Sequence, residues 1–283
     1  AFDALTVDPS ALGTRLAKNT PIVLAAESHL AAVRDPGNGS YYIEALTDAL
    51  ARAGWAELGR IESEGGLARS LEAGAFQARV TEARRQRGRD IARRKRVLVG
   101  TSDFASEALP LPTAGRTRDP APGALPAARD AEPFEALRAS VDAMAARLQK
   151  RPSVLLIGLG PAPTYRAREA FVRRLFEVPG FVVDLLPDPG AEAATEEAFL
   201  TNVLRARAPG VVCLVGADET YPTTAEPVVA AAKHAGVPAI VLAGKPGSLS
   251  EPLTAAGLTH SVALGDDMVA VLESIVAAVG GAS

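Results

Sequence analysis

Five short apolar runs in the C-terminal half of the chain, each followed by a segment of helical period, leave few folds open. They are Val154-Leu155-Leu156-Ile157, Phe181-Val182-Val183-Asp184-Leu185-Leu186, Val211-Val212-Cys213-Leu214-Val215, Ala239-Ile240-Val241-Leu242 and Ser261-Val262-Ala263-Leu264. A strand that is apolar at consecutive positions is buried on both faces, the condition of a parallel sheet covered by helices. The intervening segments supply those helices. Phe171, Val172, Leu175 and Phe176 form one stripe, and Phe199, Leu200, Val203 and Leu204 a second. Met268, Val271, Leu272, Ile275, Val276 and Val279 hold the 3.6-residue period longest. Strands alternating with helices in this way predict an α/β domain over residues 151–283, a doubly wound, flavodoxin-like parallel sheet of five strands.

Ahead of it, residues 106–150 read as a Pro-rich linker plus a helix. Pro110, Pro112, Pro120, Pro122, Pro126 and Pro133 interrupt any ladder or helix, and Phe134, Leu137, Val141, Met144 and Leu148 then recur on one helical face. In residues 1–105, the run Pro21-Ile22-Val23-Leu24 precedes a dense turn signal from Asp35 to Ser40. A long helix is predicted from Tyr41 or Tyr42 toward Ile61, stopped by Gly65-Gly66, with a second helix carrying Leu67 and Leu71. Val97-Leu98-Val99-Gly100 reads as an isolated strand. A strand with no local partner suggests the closing part of a larger structure.

Composition excludes several function classes. The formal net charge of −3 gives no electrostatic reason to expect nucleic acid or an anionic membrane. Nine basic residues between Arg79 and Arg96 have no interleaved aromatics for base stacking, so a solvated helical face, or one salt-bridged to a partner, is the better reading. The single cysteine, Cys213, cannot form an internal disulfide, which points to a reducing, cytoplasmic compartment. No apolar stretch is long enough to span a bilayer. Ala1-Phe2-Asp3-Ala4-Leu5 lacks the basic start and apolar core of a signal peptide, and the absence of an initial Met suggests a fragment. His29, His234 and His260 have no ligand-spaced companions, so no metal site is expected. Gly158-x-Gly160 is not a dinucleotide fingerprint, because Pro161 and Pro163 remove backbone donors that a pyrophosphate would need. Asp218-Glu219 lies at the ligand-binding edge of such a sheet, yet adjacent loop carboxylates are usually solvated, so neither is given a role.

Asn19-Thr20, Glu27-Ser28 and Asp35-Pro36-x-x-Gly39-Ser40-Tyr41-Tyr42-x-Glu44, followed by Gly65-Gly66-Leu67-Ala68 and Glu72-Ala73-Gly74, resemble the end of the catalytic barrel in acyl-CoA mutases of the methylmalonyl-CoA type. In that family the barrel is followed by a linker and a flavodoxin-like cobalamin domain. The resemblance therefore implies a C-terminal remnant of a TIM-type barrel over residues 1–105 and a cobalamin-type domain over 151–283. Active members carry Asp-x-His-x-x-Gly after the first strand of that domain, where the His is the lower cobalt ligand and the Asp orients it. Here Gly160 stands at the Asp position, Ala162 at the His position and Tyr165 at the Gly position. Neither Gly160 nor Ala162 has a side chain that could reach cobalt, and Tyr165 intrudes where the family keeps room for the cofactor. Leu214-Val215-Gly216-Ala217 replaces the family's Ser-x-Leu, and Gly244-Lys245 replaces its Gly-Gly pair.

These losses, with Leu159-Gly160 through Arg168-Glu169 and Thr101-Ser102-Asp103-Phe104, resemble the small, non-catalytic subunit of the heterodimeric enzymes. The resemblance implies that this chain holds no catalytic residue and binds no cofactor or metal. It implies a homologous large subunit as partner, which binds adenosylcobalamin and the acyl-CoA and interconverts methylmalonyl-CoA and succinyl-CoA. Two other readings stand beside it: a catalytic mutase subunit with an atypical cobalamin mode, and a stand-alone flavodoxin-like binder or regulator.

Overall fold

The computed structural model describes residues 11–105, 125, 129–187 and 197–281. These fall into two compact units, one holding described residues 11–84 and 125, the other residues 85–105 and 129–281. Most of the Pro-rich linker predicted from the sequence, and the extreme N-terminus, lie outside the described residues.

The described part of the first unit is helical. Helix α1 (Ala11–Ala26) is followed by α2 (Tyr41–Ser63), α3 (Leu67–Glu72) and the start of α4 (Ala75–Ala92). Gly65 and Gly66 end α2 with φ of +92° and +91°, a left-handed backbone that costs a glycine nothing. The side chains of Glu57 and Glu64 meet Arg79 of α4, the first at 2.9 Å, and Ser70 donates to Glu64. Most of the basic run is exposed, as a solvated face would be, while Arg79 pairs within its own unit and Arg87 reaches Asp130 at 3.2 Å within the second unit. No residue of α2 is buried, although it carries Ile43, Leu46, Leu50, Trp55 and Leu58.

The second unit is a five-stranded, all-parallel sheet in the order β2-β1-β3-β4-β5. Its strands are β1 (Ser153–Leu159), β2 (Val182–Leu186), β3 (Val211–Gly216), β4 (Ala239–Ala243) and β5 (His260–Val262). The helices are α5 (Glu132–Leu148), α6 (Ala162–Glu177), α7 (Glu197–Arg207), α8 (Tyr221–His234), α9 (Ser250–Ala256) and α10 (Met268–Gly281). Alternation along each strand sends neighbours to opposite faces. Val154, Leu156 and Cys213 join Val172, Phe176, Leu272 and Ile275 in one core, which also takes Phe134, Leu137 and Val141 of α5. Leu155, Ile157, Val212 and Leu214 join Leu200, Leu204, Val228 and Leu253 in the other. Covering both faces is what the near-continuous apolar runs require. Cys213, in register with Leu156 and Val241, is fully buried, and desolvation pushes its thiol pKa far up.

Two expectations are corrected. Val97–Gly100 forms no strand. Its only β contact among the described residues is an isolated bridge between Val99 and Asp103, because the segment turns back on itself: the Leu98 amide donates to the Ser102 hydroxyl at 2.9 Å, and Gly100 has a φ of +80°. The last strand is His260–Val262 rather than Ser261–Leu264, and Leu264 is 78% exposed. There the Asp266 carboxylate accepts from the Ala263 amide at 2.8 Å and turns the chain off the sheet. The segment 93–105 is held against α6 by Arg94 stacked on Phe171 and Arg174 stacked on Phe104. Arg94 also pairs with Asp103 at 2.7 Å.

Candidate functional site at the carboxyl edge of the sheet

In a doubly wound sheet, the crevice where the strand order reverses lies at the carboxyl ends of the strands, here between β1 and β3, and is the usual ligand site. Gly160 occupies the turn after β1 with a φ of +85°, a conformation that keeps the position to glycine. Ala162 is the first residue of α6. Pro161 and Pro163 sit at the start of this helix, where a missing N–H leaves nothing unpaired. Tyr165, one turn on, is buried and lays its ring against Gly158 of β1. The fold thus brings Gly160, Ala162 and Tyr165 to one turn of the crevice.

Arg168, named in the sequence only as the end of a resembling stretch and given no role there, lies one helical turn beyond Tyr165. Its guanidinium donates to the carbonyl of Gly216 and to the Tyr221 hydroxyl at 3.2 Å, and pairs with Asp218 at 2.8 Å. It also stacks 5.5 Å from the centre of the Tyr221 ring. Burial works against its charge, but the Tyr221 hydroxyl and the Asp218 carboxylate outweigh it, so its pKa stands above the ordinary value. The Tyr221 hydroxyl donates to the Ala243 carbonyl at 2.6 Å and accepts from the Gly216 amide at 3.0 Å. Burial is the main reason its pKa is raised. Asp218 pairs with Arg168 while its side chain stays 71% exposed, and Glu219 is exposed, so both carboxylates are solvated as their loop position suggested.

His234 and His260 of the same unit stand away from this crevice, at the end of α8 and on β5. His260 is on β5, its Nδ1 2.7 Å from the Thr259 hydroxyl and its Nε2 2.8 Å from the Ser274 hydroxyl. Among the described residues, no three His, Cys, Asp or Glu side chains are grouped to hold a metal ion. Nor is any helix among them long and apolar enough to cross a membrane.

A family model described as methylmalonyl-CoA mutase matches residues 1–149, more than half of the 283. The chain belongs to the methylmalonyl-CoA mutase family. Within the family it is similar to the methylmalonyl-CoA mutase small subunit of Streptomyces virginiae, 37% identical over 274 residues, which covers 94% of this chain and 41% of that protein. The small subunit of Propionibacterium freudenreichii subsp. shermanii is 30% identical over 236 residues, covering 81% of this chain and 35% of that protein. The methylmalonyl-CoA mutase of Escherichia coli is 38% identical over 104 residues, 37% of this chain and 15% of that protein. The chain thus spans about two fifths of the length of the Streptomyces relative.

Proposed function

We propose that this chain is part of the small subunit of a heterodimeric, adenosylcobalamin-dependent methylmalonyl-CoA mutase and stabilises a homologous large subunit without performing catalysis itself. The observation that carries this reading is the extent of the similarity: 94% of the chain aligns with a small subunit, against 37% with the Escherichia coli mutase. In this reading residues 1–105 are the end of a TIM-type barrel, 106–150 the linker and its helix, and 151–283 a cobalamin-type domain. The all-helical character of the described residues 11–92 and the bare apolar surface of α2 agree with a piece of a larger domain. The holoenzyme works in the cytoplasm, its large subunit binding the acyl-CoA and the cofactor and interconverting methylmalonyl-CoA and succinyl-CoA.

The residues at the crevice do not fit cobalamin. Gly160 and Ala162 offer no ligand atom, and the space beside β1 and β3 is filled by Tyr165, Arg168 and Tyr221. Gly160, Ala162 and Tyr165 are accordingly read as vestigial positions of the cofactor motif. The test is a titration of the purified chain with adenosylcobalamin and hydroxocobalamin, followed by calorimetry and the visible spectrum, together with co-expression with a tagged large subunit. The expected result is no cofactor binding at high micromolar concentration and retention on the large subunit. Stoichiometric cofactor binding would instead make the chain a catalytic subunit.

A further inference from the structure

Three neighbouring strands reach the crevice with a glycine at or just past their carboxyl ends: Gly158 on β1, Gly216 on β3 and Gly244 after β4. Glycine at such positions lets something approach the backbone closely. Here each gap is taken by a side chain of the same unit. A Cβ on Gly158 would stand 2.6 Å from the Tyr165 ring, one on Gly216 3.1 Å from the Tyr221 ring, and one on Gly244 3.3 Å from the Arg168 guanidinium. The guanidinium then meets a carbonyl at Gly216, a hydroxyl and an aromatic face at Tyr221, and a carboxylate at Asp218. Oxygen acceptors together with a π face are what a planar cation requires of a binding site.

We propose that Arg168 is an internal ligand: its guanidinium occupies a site for small planar cations (guanidinium or amidinium compounds), and its presence ties the loops after β3 and β4 together with no bound molecule. A doubly wound domain that depends on a ligand closes these loops around it; here α6 delivers the ligand. The inference goes beyond the proposed subunit role, since it concerns the chain by itself and holds whether or not a large subunit exists.

The test removes the side chain and offers its head group back. Arg168→Ala, made in the whole chain, is followed by thermal unfolding and by amide exchange at Gly216 and residues 217–221. Methylguanidinium is added at millimolar levels, too dilute to denature, with ethylammonium as a cation that lacks the planar fork. The expected result is a Tm lowered by several degrees and Gly216 exchange faster by about tenfold or more. Methylguanidinium restores both with saturation, ethylammonium does not, and the unmodified chain responds to neither. A folded Arg168→Ala that ignores methylguanidinium, or answers ethylammonium equally, overturns the proposal. Arg168→Lys covers the case in which alanine prevents folding: faster Gly216 exchange is expected, and unchanged exchange overturns the proposal as well. A cobalamin titration of the unmodified chain separates this outcome from failure of the subunit reading.

Discussion

The ring of Tyr165 lies so close to Gly158 that a methyl group on that glycine would stand 2.6 Å from the ring carbon Cζ. Tyr165 is sealed in the core and cannot swing away cheaply. Gly158→Ala is therefore expected to cost about 1–3 kcal/mol by overpacking, measured by urea denaturation. In a Tyr165→Leu background most of that penalty should vanish; a full penalty there would place the strain elsewhere.

Tyr221→Phe removes one oxygen and leaves the Gly216 amide and the Ala243 carbonyl without their partner. A buried group stranded in this way costs about 1–3 kcal/mol. The loss should appear as a lower denaturation midpoint with an unchanged slope.

His260 sets an acid limit. Burial lowers its pKa in the folded chain, so the unfolded chain binds the proton more readily. The stability it contributes is present above the unfolded value of about 6.5 and is lost as pH falls through the folded value. His260→Gln should flatten the stability profile below about pH 6.5, whatever it does to stability at pH 8. An unaltered acid limb would assign the loss to other groups.

Arg94 and Asp103 form an ion pair with side chains only 9% and 12% exposed. Asp103→Ala leaves a buried guanidinium uncompensated, and the expected cost is about 3–5 kcal/mol. Because the pair is shielded, the cost should change little between low and high salt, unlike that of the exposed Arg52–Asp48 pair. Thermal unfolding at two ionic strengths checks both points.

Helix α2 has no buried residue to resist local opening. Trypsin should cut the isolated chain at Arg52 or Arg60 before any site within residues 153–281. Mass spectrometry of the early fragments decides it, and initial cleavage in the sheet unit would contradict the exposure of α2.

The sheet was legible because Leu155 and Leu156 are adjacent yet must face opposite cores, which a strand covered on both sides allows. The same reasoning overreached at Leu264, where an apolar side chain is exposed just beyond the last strand. It overreached again at Val97–Gly100, where Ser102 closes a turn in place of a ladder. At the candidate site, the motif positions could be read off one stretch of sequence, but the role of Arg168 at the end of that stretch could not. Its partners Gly216 and Tyr221 lie 48 and 53 residues away, and only the sheet brings them together. The one local signal was an arginine one turn after a tyrosine at the start of a helix, a spacing that also suits an ordinary solvated surface.

Cys213 is the only thiol of the chain and is sealed in the central strand, flanked by Leu156 and Val241. An alkylating reagent reaches it only when the strands around it part, and fraying at the loops of the second unit leaves it untouched. The chain therefore carries its own clock for global unfolding: the rate at which a maleimide finds this sulfur counts complete openings of the second unit, with no label to install.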